Sequence, residues 1–311
     1  MVNIIKRYFI YTLVCYSLCC QSLKANPENN QVIRDSSQIN SKTLYKAIAL
    51  TSAYYALSMY VLSKTWFKDK EIVPFHIRND NSGYLQVDKF GHMFGAYFYS
   101  YVGYHGLKEM GITESEALLF GGTLGFVMQT PIEIMDGIHQ DNGFSWGDII
   151  ANSIGSGLVL SQQLLCDEQI IKYKFSYWQS PYSKISNGYL GTNSFNRIFK
   201  DYNGHTYWLS FPISKIFPNT SIPKWINFAF GYGAGGMFGE QYNITEYNGV
   251  KIPQTERYRK FVVSLDIDWT KIETDSDFLK TILAGLTFIK LPFPTIEYNT
   301  KNEIRLHWIY Y

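Results

Sequence analysis

Acidic residues, histidines and an asparagine recur at helical spacing between residues 88 and 157 of this 311-residue chain. Asp88 and His92 are four positions apart, so on a helix they lie on one face, one turn from each other. A carboxylate beside an imidazole can orient the ring as a general base or supply half of a metal site. The alternatives are a surface pair at the helix mouth, where the helix dipole stabilises Asp88, and a histidine satisfied within the core.

A second pair of acids, Glu133 and Asp136, comes at the end of a long segment without charged residues. Carboxylates next to an apolar segment need a partner, a metal ion or water, and Glu133 is therefore a second candidate base. The alternative is that Pro131 ends the helix and leaves both acids in a solvated loop. The loop 137–144 could fold over such a site, but it lacks the acid pattern of a calcium-binding EF-hand.

Asp148 and Asn152 form the third pair, again one helical turn apart. Ser145 and Asp148 resemble a capping box at the start of this helix, with Asp in the place where Glu or Gln is usual. Asp148 and Asn152 together fit two structures: a pocket for a polar head group or a metal ion, and a hydrogen-bonded contact between two helices. The sequence leaves both open.

These residues predict one polar site if three helices pack as neighbours. An acid-rich set with one histidine favours a divalent metal ion as cofactor, or acid–base hydrolysis, over redox metals. The sequence contains no nucleophile elbow, phosphate loop, dinucleotide fingerprint or His-Glu-x-x-His motif, so it does not fix a reaction. The candidate catalytic bases are His92 and Glu133, the candidate ligand-binding residues are Asp88, Asp136, Asp148 and Asn152, and the candidate metal ligands are Asp88, His92, Asp136 and Asp148.

The elements that must position this site are four predicted helices. The last three lack Asp, Glu, Lys and Arg for 16 to 18 residues, just below the about 20 residues that cross a bilayer with ease. They predict either short or tilted membrane helices or the buried helices of a soluble bundle. Small residues four apart, as in the glycine cluster 121–125, favour close helix packing. The predicted helices cover residues 44–66, 90–107, 117–132 and 149–165.

The remainder of the chain predicts a small antiparallel sheet with extra helices, so that the fold class is α+β and mainly helical. Residues 172–204 are predicted to be a long connection with little regular structure, and Pro223 to begin a helix toward Gly231. Alternation over 261–269 is typical of a half-buried strand. A helix is predicted at 276–289, and a hairpin pairs 295–298 with 304–310. The predicted domains are a signal peptide (1–25), a polar tether (26–41), the helical core with the polar motifs (42–171) and the C-terminal α+β region (172–311).

The N-terminus predicts export to the cell envelope. Lys6 and Arg7 precede an apolar segment, and cleavage after Ala25 fits a secretory signal. Lipidation at Cys19 or Cys20 is the alternative, although the preceding residues fit a lipobox poorly. Cleavage would leave 25 basic and 26 acidic residues, a balance that excludes nucleic acid as an expected partner. The expected partners are a membrane and a lipid or glycan head group.

These motifs resemble the YfiM-like family of envelope proteins, which are predicted periplasmic lipoproteins. The matching segments are 88–92, Glu133 with Asp136, and 145–155, and the later segments 199–204, 207–210 and 292–295 are similar to longer members. More distantly, the order of Asp88, His92, Glu133, Asp148 and Asn152 resembles the VanZ-like membrane proteins. The resemblance implies an envelope membrane protein with a polar cluster among its helices.

Three functions are therefore expected as alternatives. The first is a membrane-associated envelope protein whose polar pocket binds a lipid-linked or sugar-bearing head group. The second is a metal-assisted hydrolase of an envelope component, with His92 or Glu133 as general base. The third is a purely structural envelope component in which the polar residues only tie helices together.

Overall fold

The computed structural model describes residues 41–67, 70–219 and 221–311. The predicted signal peptide, the candidate lipidation sites Cys19 and Cys20, and the tether up to residue 40 lie outside the described residues. The chain forms two compact units: the first contains the described residues up to Asn79 together with Gly95–Leu164, and the second contains Asp80–Phe94 and Leu165–Tyr311. The domain boundary that the sequence suggests at residues 171 and 172 stays a prediction.

Four helices build the first unit, and the α+β, mainly helical fold class with its four-helix core is confirmed. Helix α2 (Val87–Glu109) is divided between the units: its residues from Gly95 onward belong to the first unit, and its first turns belong to the second. Helix α3 contains a π-helical turn, Ala117–Gly122. Pro131 lies inside α3, so the helix does not end there and the solvated-loop alternative is wrong for Glu133, which is buried. The helices are α1 (Ser41–Trp66), α2 (Val87–Glu109), α3 (Glu114–Gly137) and α4 (Trp146–Cys166).

Small residues bring α2 and α3 into backbone contact, as the glycine cluster predicts. A Cβ at Gly125 would lie 1.9 Å from the carbonyl oxygen of Ala96, and one at Gly121 would lie 2.5 Å from the backbone of Gly103. Only glycine allows such an approach. A Cβ at Gly157, by contrast, would meet no atom within 4 Å, so spacing alone did not identify which small residues lie at the contact.

The first unit has its polar residues inside and many apolar residues outside. Apolar side chains of α3 and α4, such as Phe120 and Ile150, are exposed, with 62% and 57% of their surface accessible. By length and composition α3 and α4 could each cross a membrane. The polar side chains buried on α2, α3 and α4 include Ser100, Gln129, Glu133, Asp148, Asn152 and Ser156.

The second unit is built on a six-stranded antiparallel sheet of strand order β1-β2-β3-β6-β7-β8. A two-stranded hairpin, β4 with β5, turns at Asn248 and Gly249, both with positive φ. The strands are β1 (Lys172–Tyr177), β2 (His205–Pro212), β3 (Ile226–Gly235), β4 (Glu246–Tyr247), β5 (Val250–Lys251), β6 (Tyr258–Ile267), β7 (Phe293–Asn299) and β8 (Ile304–Tyr310). The helices are α5 (Tyr182–Ile185), α6 (Ser194–Lys200), α7 (Ile213–Ile216) and α8 (Asp277–Leu286).

Two expectations for this region are wrong. The segment after Pro223 is strand β3, because large and small residues alternate along it with the period of a strand. The small residues make room for Trp208, since a Cβ at Gly231 would lie 2.6 Å from the indole ring. The segment 172–204 is also more regular than expected, because it contains β1 and two short helices, α5 and α6. The predicted strand at 261–269, the helix at 276–289 and the C-terminal hairpin are present.

The sheet buries its polar face. On β6 the buried side chains include Ser264 and Asp266, whereas Phe261 and Leu265 are exposed. A half-buried strand normally turns its apolar side to the core, so alternation predicted the strand correctly but not which side is buried. On β8 a register shift opposite Phe293 breaks the alternation.

Candidate functional site

A left-handed turn precedes helix α2 in the second unit. Tyr84, Leu85 and Gln86 have φ values of 44°, 51° and 68°, which non-glycine residues rarely adopt. The side chain of Tyr232 donates a hydrogen bond to the carbonyl oxygen of Leu85, and Arg259 donates one to Gln86 Oε1 at 2.8 Å. Tertiary contacts thus hold a strained turn, and such strain is common next to functional residues.

This turn places Asp88 in the first turn of α2, where a carboxylate is stabilised by the helix dipole. The hydroxyl of Tyr202 donates a hydrogen bond to Asp88 Oδ1 at 3.1 Å, and the Lys89 ammonium lies 3.3 Å from Oδ2. Tyr84 stacks on Tyr202 with ring centroids 4.2 Å apart. Asp88 and the next-turn His92 are both half-buried, which agrees with their predicted position on one face.

A buried histidine that the sequence did not suggest lies near Asp88. His205 Nε2 is 2.8 Å from the carbonyl oxygen of Ile198, which can only accept, so Nε2 carries the proton. The Tyr207 hydroxyl can then donate to Nδ1 at 3.4 Å. Burial lowers the pKa of His205 to about 4, so the ring is neutral near pH 7. His205 follows a segment predicted to have little regular structure, and it belongs to none of the motifs that residue spacing indicated.

Helices α3 and α4 are joined by a ladder of polar contacts in the first unit. Gln129 Nε2 donates to Asn152 Oδ1 at 2.9 Å, and the Ser156 hydroxyl accepts from the backbone N–H of Phe126 at 2.9 Å. Ser100 of α2 joins the ladder, because its hydroxyl donates to Ser156 Oγ at 2.9 Å and accepts from the backbone N–H of Gly125 at 3.0 Å.

The same ladder places Glu133 and Asp148 at one level of the unit. Glu133 lies one turn after Gln129 on α3, and Asp148 lies one turn before Asn152 on α4. Because the Gln129–Asn152 contact fixes the antiparallel register of the two helices, the next turn along brings the two acids to the same height. Both are buried, with 1% and 4% of their surface accessible. Ser145 caps α4 by accepting a hydrogen bond from the backbone N–H of Asp148 at 3.2 Å, as expected.

Asp136 has a different environment from Glu133. It is half-buried near the end of α3 and accepts a hydrogen bond from the side chain of Asn142. The loop 137–144 is held by backbone hydrogen bonds to residues 71–78, including Val73 N–H to Ile138 O at 2.9 Å and Arg78 N–H to Phe144 O at 3.0 Å. The loop is therefore an ordered strap along the first unit, with Asp136 at its start.

The structure thus brings together Glu133, Asp148 and Asn152 within the first unit, and Asp88 with His92 within the second. Because these two groups belong to different units, the expectation that all six candidate residues converge on one site stays a prediction. The polar surroundings of Asp88 also include Tyr202, to which no sequence motif points.

Comparison with known families agrees with an envelope protein. Residues 78–163, less than a third of the chain, match a family described as predicted periplasmic lipoproteins of unknown function. This match confirms the predicted export to the cell envelope and the association with a membrane. It supports the resemblance to uncharacterised envelope lipoproteins, whereas the narrower resemblances stay predictions. No curated protein and no solved structure matches the chain.

Proposed function

We propose that the first unit is a membrane-embedded helical bundle with a polar pocket for a lipid-linked or sugar-bearing head group. The observation that carries this proposal is the distribution of polarity: Glu133, Asp148 and Asn152 are buried, while many outward side chains along α3 and α4 are large and apolar. Polar residues that face the interior of a bundle with an apolar exterior are typical of functional sites in membrane proteins. The narrower resemblance to YfiM-like and VanZ-like membrane proteins is part of the same proposal.

The donors and acceptors of this interior suit a hydroxyl-rich ligand. The carboxylates of Glu133 and Asp148 accept hydrogen bonds, and the amides of Gln129 and Asn152 both donate and accept. Sugar hydroxyls supply matching donors and acceptors, whereas a phosphate would meet two acids of its own sign. The head group is therefore proposed to enter sugar first, with Asp148 and Asn152 as its main contacts.

Asp88 and His92 follow the left-handed turn, which fixes the start of α2. In the alternative hydrolase these two residues and Asp136 and Asp148 would hold a divalent ion, with His92 or Glu133 as base. In the structural alternative the polar residues would only join helices. The predicted domain of residues 42–171 is proposed as the part of the chain that carries the function.

The test is lipid retention by the purified full-length chain and two isosteric variants, Glu133→Gln and Asp148→Asn. Ser153→Ala is the matched control, because Ser153 is an exposed residue of α4 whose hydroxyl donates within the helix, to the carbonyl oxygen of Ile149 at 2.7 Å. Each protein is extracted in mild detergent, and bound lipids are identified by native mass spectrometry. Metal content and thermal unfolding are measured on the same samples.

The expected result is a glycolipid that stays with the wild type and with Ser153→Ala and is lost from both acid variants. A stoichiometric divalent metal lost from Asp148→Asn, without bound lipid, would favour the hydrolase instead. A wild type that carries neither, with variants that are only less stable, would refute the pocket and leave the structural role.

A further inference from the structure

One face of the C-terminal sheet, here called the apolar face, presents apolar and aromatic side chains along continuous cross-strand rows, with Arg259 and His205 at the ends of their strands. The register pairs Leu209 with Phe230, Phe230 with Val263, Val263 with Ile296, and Ile296 with Leu306, so one row crosses five strands. Neighbouring rows repeat the pattern. They contain Phe211, Phe228 and Leu265 on one side and Tyr232, Phe261, Tyr298 and Ile304 on the other.

Much of this face is exposed. Phe230, Ile296 and Leu306 have 51%, 54% and 60% of their surface accessible, and Trp308 on the edge strand has 76%. Helix α2 covers one corner, where Phe90 stacks on Tyr232 with centroids 4.5 Å apart. Soluble monomers seldom leave contiguous apolar patches larger than a few hundred Å² in water. We therefore expect another apolar surface or medium to cover the apolar face.

The opposite face, here called the polar face, is buried and carries charged and polar side chains. It contains a fully buried ion pair, Lys174 Nζ to Asp266 Oδ2 at 2.7 Å, which Ser210 extends by a hydrogen bond to the same carboxylate at 2.6 Å. Tyr310 of the last strand reaches back to β2, where its hydroxyl lies 3.2 Å from Thr206 Oγ1 and its ring packs edge-on against Trp208. The sheet is therefore curled around an interior filled by its own side chains, in which polar groups surround a small apolar cluster of Trp208, Ala229 and Val262.

A sheet that is polar inside and apolar outside matches hydrocarbon as its surroundings. A partner protein would recognise a patch with a polar rim and shape-matched pockets, whereas lipid requires only apolar side chains on the outside and satisfied polar groups on the inside. Here the ion pair and its hydrogen bonds satisfy Lys174, Asp266 and Ser210 in the interior, and the rows of the apolar face supply the exterior.

One end of the strands carries the residues that anchor proteins at a membrane surface. Trp225 precedes β3 and Phe217 follows β2, and both are exposed, as are Lys215 and Lys224. The two lysines line a cleft of about 390 Å³ at this end, together with Lys271, Glu168 and Asp268. Glu168 forms ion pairs with Lys215 and Lys271. Exposed aromatic and basic side chains at one level are typical of the boundary between hydrocarbon and anionic head groups.

We propose that the apolar face of the C-terminal sheet lies against membrane lipid, and that the end of the strands with Lys215 and Lys224 lies at the head groups. This contact is independent of the polar pocket, because it uses only the second unit. It gives the C-terminal region, for which the sequence indicated no role, a function in holding the protein on the bilayer.

The test is photocrosslinking from two adjacent positions of β8 that point to opposite faces. The photoreactive residue p-benzoylphenylalanine replaces Leu306, on the apolar face, or Arg305, which is also exposed but pairs with Glu297 on the polar face. The full-length chain is reconstituted in vesicles of phosphatidylcholine and phosphatidylglycerol and irradiated. Intact-mass spectrometry then detects phospholipid adducts, and gel electrophoresis detects crosslinked dimers.

The expected result is a phospholipid adduct from position 306 and a much weaker one from position 305. Lys224→Gln should lower the adduct yield in vesicles rich in phosphatidylglycerol and leave it unchanged in pure phosphatidylcholine. A crosslink from position 306 to a second copy of the chain, equal lipid adducts from both positions, or no lipid adduct from position 306 would each overturn the proposal. None of these outcomes depends on whether the first unit binds a head group.

Discussion

Replacement of Lys174 by Met tests whether the second unit depends on its buried charges. Lys174 Nζ contacts Asp266 Oδ2 at 2.7 Å and donates to the carbonyl oxygen of Ile267 at 2.6 Å, and neither charged side chain is accessible beyond 2%. Removal of one partner leaves an uncompensated charge in the sheet, which typically costs about 3–5 kcal/mol. For a unit of this size that loss lowers the melting temperature by roughly 10 °C.

The measurement is thermal unfolding in detergent, monitored by near-ultraviolet circular dichroism. The matched control is Lys215→Met, because Lys215 forms an exposed ion pair with Glu168 at 2.9 Å. Exposed ion pairs contribute little to stability, because water and salt screen them, so this variant should unfold close to the wild type. The double variant Lys174→Met with Asp266→Asn removes both charges and should recover most of the stability, since Asn can still bond to Ser210.

Equal melting temperatures for Lys174→Met and the wild type would show that water reaches the ion pair and that the sheet does not enclose a dry polar interior. A double variant as unstable as Lys174→Met would show that the loss comes from packing and not from the orphaned charge. Either result would remove the polar-inside argument on which the lipid contact of the sheet rests.

Three further outcomes are expected. Burial lowers the pKa of His205 from 6.5 to about 4. The contribution of the neutral ring to stability is therefore complete above pH 6.5 and is lost as the pH falls toward 4, by at most about 3 kcal/mol. Urea titrations of the wild type and of His205→Phe should differ in this pH dependence. Gly125→Ala should strongly lower the melting temperature, because its Cβ would lie 1.9 Å from Ala96 O. Tyr232→Phe should cost about 1 kcal/mol and speed amide exchange at residues 84–88.

Each of these has a result that would contradict it. A His205→Phe variant that keeps the wild-type slope between pH 4 and pH 6.5 would assign the acid sensitivity to other groups. A stable Gly125→Ala variant, with Gly157→Ala as the unstrained control, would mean that α2 and α3 do not meet at Gly125. Unchanged exchange in Tyr232→Phe would mean that the left-handed turn is held without the tyrosine.

Local pattern was enough to predict the helices and the C-terminal hairpin. The segments without charges end at residues 107, 132 and 165, and the helices themselves end a few residues later or less, at Glu109, Gly137 and Cys166. The turn between β7 and β8 occupies the predicted Asn-Thr-Lys-Asn segment, with Asn302 in the left-handed conformation that asparagine tolerates. Spacing also placed Asp148 with Asn152 correctly on one buried face of α4.

Features that depend on tertiary contacts could not be predicted in the same way. Pro223 favours a helix start, so the sequence predicts a helix where strand β3 is found. The small residues that alternate along β3 are explained by the packing of Trp208 on Gly231. The left-handed turn at residues 84–86 contains no glycine and is maintained by Tyr232 and Arg259, nearly 150 residues or more away in sequence. His205 was missed because its burial comes from side chains of distant segments.

The reversal of polarity in the sheet has the widest consequence. Alternation of apolar and polar residues along a strand indicates that its two faces differ in polarity. The usual inference that the apolar face is buried holds only in water. On β6 the buried Asp266 and the exposed Leu265 show the opposite arrangement, and the first unit repeats it with Asp148 inside and Ile150 outside. Two units with different secondary structure would not both expose apolar surface by chance. The lipid contacts proposed for the two units would account for both, and they agree with the family of predicted periplasmic lipoproteins that residues 78–163 match.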